Sequence, residues 1–162
     1  MELSFKEISS EDIAELSVIM RNAFDYDTSL HTNLKTGGPK GYDDGSFLKV
    51  WANKDSIASY KILNGIITLG AFFIDVSEIS EKSLEMLFLD PKYSDKGIGY
   101  KVWQFIENQF PETRVWKTST PGYSKRNHNF YVNKCGFKIY RIENSLNIYD
   151  ECYYLEKVIT RQ

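Results

Sequence analysis

The sequence predicts an α+β domain. Stretches rich in β-branched and aromatic residues alternate with segments whose apolar residues recur at helical spacing. Asn64 and Gly65 join two of the β-rich stretches and are a strong hairpin signal. A length of 162 residues matches one domain, and 42% apolar residues can fill its core. Since no linker or internal repeat divides the chain, we expect residues 1–162 to form a single domain.

The N-terminal half predicts two helices and a pair of strands. Ser9 and Asp12 have capping-box spacing, and apolar residues follow at helical intervals. The next segment is rich in glycine and aspartate, so we expect a long loop there and interpret it as a lid over a substrate. The predicted elements are a helix at 13–24, a loop at 25–45, a short helix at 47–51 and strands at 57–63 and 66–76.

The C-terminal half predicts further strands and helices. The best-supported helix begins at Gly97, carries one apolar face and stops before Pro111. In the strand before it, Leu84, Met86 and Phe88 alternate with Glu85, Leu87 and Leu89, so the two triplets should occupy opposite faces. The predicted elements are strands at 84–89, 114–118, 137–142 and 148–159 and helices at 97–110 and 124–135.

Composition argues against several classes of function. A net charge of −2 and a pI of 5.7 do not favour nucleic acid or an anionic membrane as a partner. The longest apolar run, residues 66–74, is about half of the ~20 residues that span a bilayer, and no signal peptide is evident, so we expect cytoplasmic residence. Two cysteines without CxxC spacing and two separated histidines, His31 and His128, predict neither a disulfide nor a metal site.

The segment with the clearest chemistry is the glycine-rich turn at residues 94–100, between a predicted strand and an amphipathic helix. The free N–H groups of a helix's first turn and its dipole favour an anion, and glycine lets a phosphate approach closely. The alternative is that Gly97 and Gly99 only make a tight turn. A dinucleotide fingerprint would need glycine where Val102 stands, and the G-K-[ST] ending of a P-loop is absent.

This turn resembles the cofactor loop of the GCN5-related N-acetyltransferases, [QR]-x-x-G-x-[GA], with Ser94 in the Gln/Arg position. Residues 89–91 resemble the V-x-P step that precedes the loop in that family. Residues 127–137 resemble a second family signature, N-x-x-x-Y-x-x-x-G-F. Two motifs in the right order, within residues 84–137, identify the sequence as similar to this family.

The resemblance implies an architecture and an activity. It implies a mixed, mainly antiparallel twisted sheet of about six to seven strands flanked by about four helices, with two parallel central strands that splay where the cofactor enters. It also implies transfer of the acetyl group of acetyl-CoA to a primary amine of a small acceptor, by direct attack in a ternary complex. Neither implication includes a metal.

The resemblance also implies residue roles. Tyr131 would protonate the departing thiolate, and Glu85 would remove a proton from the amine. The alternatives are that Tyr131 is a core residue and Glu85 a surface carboxylate. The cofactor-binding residues implied are Leu87 and Leu89 through their backbone, Asp95, Lys96, Gly97, Ile98, Gly99 and Tyr100 in the phosphate loop, and Asn127 beside pantetheine. Basic residues flank these segments and would form a positive rim: Lys92, Lys96, Lys101, Lys125 and Arg126.

The acceptor is less well defined by the sequence. Carboxylates and aromatic rings suit an ammonium group, so Tyr26, Asp27, Tyr42 and Asp43 are candidate residues for binding a small cationic amine. The alternative is that these aspartates cap helices and fill turns. Two other functions stay open, a non-catalytic acyl-CoA-binding regulatory module and an unrelated nucleotide-binding domain. The tyrosines of the last strand leave room for a homodimer: Tyr149, Tyr153 and Tyr154.

Overall fold

The computed structural model describes residues 1–160. Within that range the strands are β1 Ser4–Glu7, β2 Ile57–Asn64, β3 Ile67–Asp75, β4 Glu81–Leu89, β5 Val115–Pro121, β6 Lys138–Glu143 and β7 Cys152–Val158. The helices are α1 Ile13–His31, α2 Ser46–Ala52, α3 Ile98–Gln109 and α4 Lys125–His128. A π-helical turn, Asn129–Lys134, continues α4, and short 3₁₀ turns precede α1 and α3 at Ser10–Asp12 and Pro91–Tyr93.

All seven strands join one sheet in the order β1-β2-β3-β4-β5-β7-β6. Neighbouring strands are antiparallel except for the central pair, β4 and β5, which is parallel. The predicted α+β fold with a mixed, mainly antiparallel sheet and four helices is confirmed.

The parallel pair separates part-way along its length. Its register runs from Glu81 opposite Val115 to Leu84 opposite Thr118, whose hydroxyl donates a hydrogen bond of 2.8 Å to the Leu84 carbonyl. Beyond these residues β4 continues to Leu89 and β5 to Pro121 without pairing to each other. The two strands therefore form a fork that opens toward their C-terminal ends.

Apolar side chains cover both faces of the sheet. On one face, Ile98, Val102 and Ile106 of α3 pack with Trp116 of the sheet and with Phe137. On the other face, α1 and α2 pack against the sheet through a second cluster, Leu16, Ile19, Met20, Leu48, Phe73 and Phe88. The fork thus lies between two independently packed helical layers.

Several element boundaries differ from those predicted. The first part of the predicted loop 25–45 is helical, because Thr28 continues the buried stripe of Leu16 and Met20 at four-residue steps and α1 ends only at His31. The last strand starts at Cys152 instead of Ile148, since residues 147–150 form a turn. The predicted helix at 124–135 becomes π-helical after His128.

Two differences concern the strands that flank the helices. Strand β1 was not predicted, because Phe5 is the one partly buried residue in a four-residue strand and gives no alternating pattern. Its ring stacks on Phe105 of α3, with ring centroids 3.8 Å apart. Strand β4 begins earlier than expected, at Glu81, because Lys82 is buried through a hydrogen bond to the Ile79 carbonyl and an ion pair with Glu112.

The buried face of α3 can be tested directly. We expect Ile106→Ala to lower the free energy of unfolding by about 2–5 kcal/mol, because the side chain is fully buried and its removal leaves a cavity. The matched control is Gln109→Ala, at an exposed position of the same helix, with an expected change below about 0.5 kcal/mol. Urea denaturation followed by circular dichroism measures both, and equal losses in the two variants would contradict the assignment of this face.

Candidate active site

A cavity of about 710 Å³ occupies the fork. Its walls come from the end of β4, the loop and first turns of α3, the segment from the end of β5 through α4 and the π-helical turn, and the last turns of α1. It therefore brings together the two sequence segments that carry the predicted motifs. The predicted residues that line it are Asp27, Leu87, Leu89, Asp95, Gly97, Ile98, Gly99, Tyr100, Asn127 and Tyr131.

The N-terminus of α3 presents backbone N–H groups at this cavity. Gly97 precedes the helix with φ +76°, a left-handed conformation that favours glycine. The Lys101 N–H donates to the Gly97 carbonyl, so the amides of the three residues between them have no partner within the helix. These three residues, Ile98, Gly99 and Tyr100, all line the cavity and form a site for an anion.

Gly99 has a separate steric role. A Cβ atom at this position would lie 3.1 Å from Cε1 of Phe130, on the π-helical turn. Its absence lets that turn pack directly against the start of α3. The two motifs that the sequence separates by about thirty residues thus meet in van der Waals contact.

One edge of β4 faces the fork. The Asp90 N–H donates to the Leu69 carbonyl at 2.7 Å, so alternation along the strand turns the backbone groups of Leu87 and Leu89 away from β3. With no pairing to β5 at this level, these groups point into the cavity. They can form hydrogen bonds with an amide-bearing ligand in the manner of an added strand.

Tyr131 lies on the π-helical turn with 7% of its surface exposed. The widened turn is visible in its hydrogen bonds, since the Cys135 N–H donates to the Phe130 carbonyl and the Phe137 N–H to the Tyr131 carbonyl. Burial raises the pKa of Tyr131, and a hydrogen bond with the Thr118 side chain opposes only part of that rise. The phenol therefore keeps its proton at neutral pH.

Asn127 lines the cavity one turn before Tyr131. Its Nδ2 donates a hydrogen bond of 3.1 Å to Thr120 Oγ1 on β5. This bond fixes the amide, and in residues 1–160 its carbonyl oxygen accepts no hydrogen bond and is left for a ligand.

Glu85 stands at the apex of the fork and does not line the cavity. The register of β4 against β3 passes from Met86 to Leu84, which makes Glu85 a β-bulge and breaks the predicted alternation of the strand. Leu84 consequently joins Leu87 and Leu89 on the α3 face, while Met86 and Phe88 lie on the α1 face. Burial raises the pKa of Glu85, Asp75 adds to the rise, and Ser83 and Lys54 oppose it.

The four candidate acceptor residues occupy different places. Asp27 lines the cavity and accepts a hydrogen bond of 3.0 Å from Ser124 Oγ. Tyr42 is buried away from the cavity; its hydroxyl donates to Asp25 at 2.6 Å, and burial together with this bond raises its pKa to about 12. Tyr26 and Asp43 are exposed and outside the lining. Within the segment 25–45, which was interpreted as a lid, Asp27 lines the cavity as part of α1, and residues 32–45 are absent from the described cavity wall.

The basic residues also fall into two groups, those that line the cavity and those that lie outside it. Lys101, Arg126 and Lys134 line the cavity, whereas Lys92, Lys96 and Lys125 are exposed outside it. Lys96 instead lies 6.0 Å above the ring of Tyr93. Lys134 was not predicted from the sequence, although its position three residues after Tyr131, near the same turn of helix, was a usable signal.

Two properties of residues 1–160 bear on other classes of function. None of their helices combines the length and apolar character needed to cross a bilayer. Over the same residues, His, Cys, Asp and Glu side chains form no group of three or more that could hold a metal ion.

Known proteins resemble the chain over part of its sequence. No protein-family model matches the chain. A relative in Bacillus subtilis (strain 168), the uncharacterized protein YrkN, is 40% identical over 93 residues. That match covers 57% of this chain and 50% of YrkN, so the chain spans about half the length of this relative.

Solved structures give a longer match. A PaiA N-acetyltransferase from Thermoplasma acidophilum in complex with coenzyme A has a TM-score of 0.79 and 15% identity, over 98% of this chain and 100% of that one. An acetyltransferase from Thermus thermophilus has a TM-score of 0.78 and 12% identity, over 98% of both chains. The ribosomal-protein-S18-alanine N-acetyltransferase of Escherichia coli has a TM-score of 0.72 and 9% identity, over 99% of this chain and 96% of that one.

This is the fold of the GCN5-related N-acetyltransferases. The fork lies between the two parallel strands of this fold, β4 and β5, and the bulged residue Glu85 lies on β4.

The raised pKa of Glu85 predicts a pH-dependent effect on stability. The folded domain holds this proton more tightly than the unfolded chain, so ionisation costs stability as the pH rises above the ordinary value of 4.5. We therefore expect Glu85→Gln to be more stable than wild type near neutral pH, and the difference to vanish near about pH 3.5. Thermal unfolding at both pH values measures it.

The matched control is Glu81→Gln on the same strand, where the carboxylate pairs with Lys117 at 3.0 Å. It should show no gain in stability at neutral pH. A Glu85→Gln variant that is less stable than wild type at neutral pH would mean that the carboxylate has a stabilising partner.

Proposed function

We propose that the protein is an acetyl-CoA-dependent N-acetyltransferase that acts on a primary amine of a small molecule. The observation that carries this proposal is the joining, in one cavity, of the α3 N-terminus, the free edge of β4 and the hydroxyl-bearing residue Tyr131. An anion site beside an unpaired strand edge suits a ligand with both a pyrophosphate and an amide-containing arm. Coenzyme A has both.

We call the part of the cavity between the α3 N-terminus and the edge of β4 the donor half. Its residues can each be assigned to one part of such a ligand. The amides of Ile98, Gly99 and Tyr100 would receive the pyrophosphate, with Lys101 and Lys134 supplying positive charge. The backbone of Leu87 and Leu89 and the amide of Asn127 would hold the pantetheine arm. When bound, acetyl-CoA supplies a thioester that is activated for acyl transfer.

The transfer would proceed directly from donor to acceptor. The amine loses one proton from its ammonium form, its nitrogen bonds to the acetyl carbonyl carbon, and the carbon–sulfur bond breaks with its electron pair on sulfur. The nitrogen then loses a second proton and the thiolate sulfur gains one. The products are the acetamide and the free thiol. Direct attack needs both ligands together, and residues of both helical layers line the one cavity.

Tyr131 would stabilise the departing thiolate. A thiol with a pKa of roughly 8.5 is a stronger acid than a phenol of pKa roughly 10, and burial widens this difference for Tyr131. Complete proton transfer from the phenol is therefore uphill, and donation of a hydrogen bond is the favoured contribution. This refines the predicted role as a general acid.

Glu85 is the proposed base, acting through water because it lies at the apex of the fork and outside the cavity lining. Its raised pKa makes the carboxylate a better proton acceptor than an exposed glutamate. Asp27 is the proposed ligand of the acceptor's ammonium, since it is the candidate acceptor residue that reaches the cavity.

The alternative function is a non-catalytic acyl-CoA-binding regulatory module, which would keep the donor site without turnover. An unrelated nucleotide-binding domain would instead prefer ATP or NAD. Thermal shift with acetyl-CoA, ATP and NAD, followed by thiol release with a panel of amines, separates the three. We expect stabilisation by acetyl-CoA alone and amine-dependent thiol release; stabilisation without release would favour the module.

The role of Tyr131 has its own test. We expect Tyr131→Phe to lower kcat by about 10- to 100-fold, because a hydrogen bond to a charged sulfur is lost, and to keep the stabilisation by acetyl-CoA. Tyr140→Phe, at an exposed position on β6, is the control and should keep wild-type kcat. Steady-state thiol release measures both variants, and a fully active Tyr131→Phe would remove the residue from the mechanism.

A further inference from the structure

The wall of the cavity next to α1 carries two opposite charges, Asp27 and Arg126. They do not form an ion pair with each other within the described residues. Each therefore remains available to a ligand group of the opposite charge. Because this inference concerns the acceptor, it rests on the proposed acetyltransferase function.

Two neighbouring side chains hold Asp27 in place through one of its two carboxylate oxygens. Ser124 Oγ donates to Asp27 Oδ1 at 3.0 Å, and His31 Nε2 lies 3.6 Å from the same oxygen. In residues 1–160, Oδ2 accepts no hydrogen bond. A carboxylate that is 13% exposed and has a free oxygen is a suitable ligand for an ammonium group.

Arg126 has a cationic group without an anionic partner. Its guanidinium carbon lies 5.2 Å from the ring of Tyr26, and no carboxylate of residues 1–160 is within ion-pair distance. Its Nη1 is buried and has no hydrogen-bond partner among those residues. Leaving a charged donor unsatisfied is costly, so an anionic ligand group would satisfy this guanidinium.

The position of Arg126 separates it from the donor's phosphates. Tyr26 belongs to α1, which packs on the sheet face opposite to α3. The pyrophosphate site at the α3 N-terminus has its own cations, Lys101 and Lys134. The guanidinium of Arg126 thus lies on the acceptor side of the fork.

We propose that the acceptor is an amino acid, a molecule with a carboxylate in addition to the amine that is acetylated. Asp27 binds the ammonium form of the amine, and Arg126 binds the carboxylate through charge-assisted hydrogen bonds. Ala23 and Phe24 of α1 line the same wall and provide an apolar surface for the carbon skeleton of the acceptor.

The test compares amino acids with the amines that remain when their carboxylate is removed, such as phenylalanine with 2-phenylethylamine and lysine with cadaverine. For wild type, we expect at least one amino acid to have a kcat/KM about tenfold or more above its decarboxylated partner. Arg126→Gln should lower kcat/KM for that amino acid by about 10- to 100-fold and reduce the ratio to near one. Asp27→Asn should raise the KM for both members of the pair.

A control variant and a calorimetric binding measurement test whether the effect is specific to Arg126. Lys125→Gln removes the same charge from the adjacent, exposed position on α4 and should leave the ratio unchanged. In calorimetric titrations without coenzyme A, the N-acetylated amino acid should bind wild type more tightly than the N-acetylated amine, and Arg126→Gln should abolish that difference.

Two results would overturn the proposal. One is thiol release that is equally fast with amino acids and their decarboxylated amines in wild type. The other is an Arg126→Gln variant whose main defect is a raised KM for acetyl-CoA, which would assign Arg126 to the donor. Absence of acetyl-CoA stabilisation together with absence of thiol release for every amine is a different outcome, because it rejects the acetyltransferase function itself and this inference with it.

Discussion

The site depends on the point where β4 and β5 stop pairing. The last paired residues are Leu84 and Thr118, joined by the hydrogen bond from the threonine hydroxyl to the leucine carbonyl. Beyond them both strands continue, but the backbone N–H and C=O groups along their facing edges have no hydrogen-bond partners in the other strand. Unpaired backbone groups that are buried are unfavourable unless a ligand supplies the missing hydrogen bonds. The cavity, with walls from both helical layers, follows from this interruption.

The parts of the fold that could be predicted are those with local causes. The amphipathic stripe of α3 and the left-handed glycine before it are encoded within a few residues, as is the turn at Asn64 and Gly65. The bulge at Glu85 was not predictable, because it arises from the register between β4 and β3 and leaves no mark in the alternation of the strand itself. The same holds for the C-terminal turns of α1, where loop-like composition concealed a continuing buried stripe.

The candidate site shows the same division. The motif residues Gly97, Asn127 and Tyr131 reach the cavity because each motif lies on one short segment. Tyr42 and Asp27 have similar sequence surroundings, yet one is a core residue bonded to Asp25 and the other lines the cavity. Tertiary packing alone separates them. The net charge of −2 likewise hides a separation of charge along the cavity, with two lysines on the α3 side and an aspartate and an arginine on the wall next to α1.

The loop at residues 32–45 is tied to α1 instead of moving freely over the cavity. Asp25 Oδ1 accepts hydrogen bonds from the Gly37 N–H and the Tyr42 hydroxyl, while Thr28 Oγ1 donates to the Gly37 carbonyl. Asp27 lies between these two anchoring residues on the same helix. A substitution in the loop therefore reaches the cavity wall indirectly, through the last turns of α1. Under the proposed acetyltransferase function, surface residues that touch no ligand would consequently help to set the range of acceptors, while the site at the α3 N-terminus would be left intact.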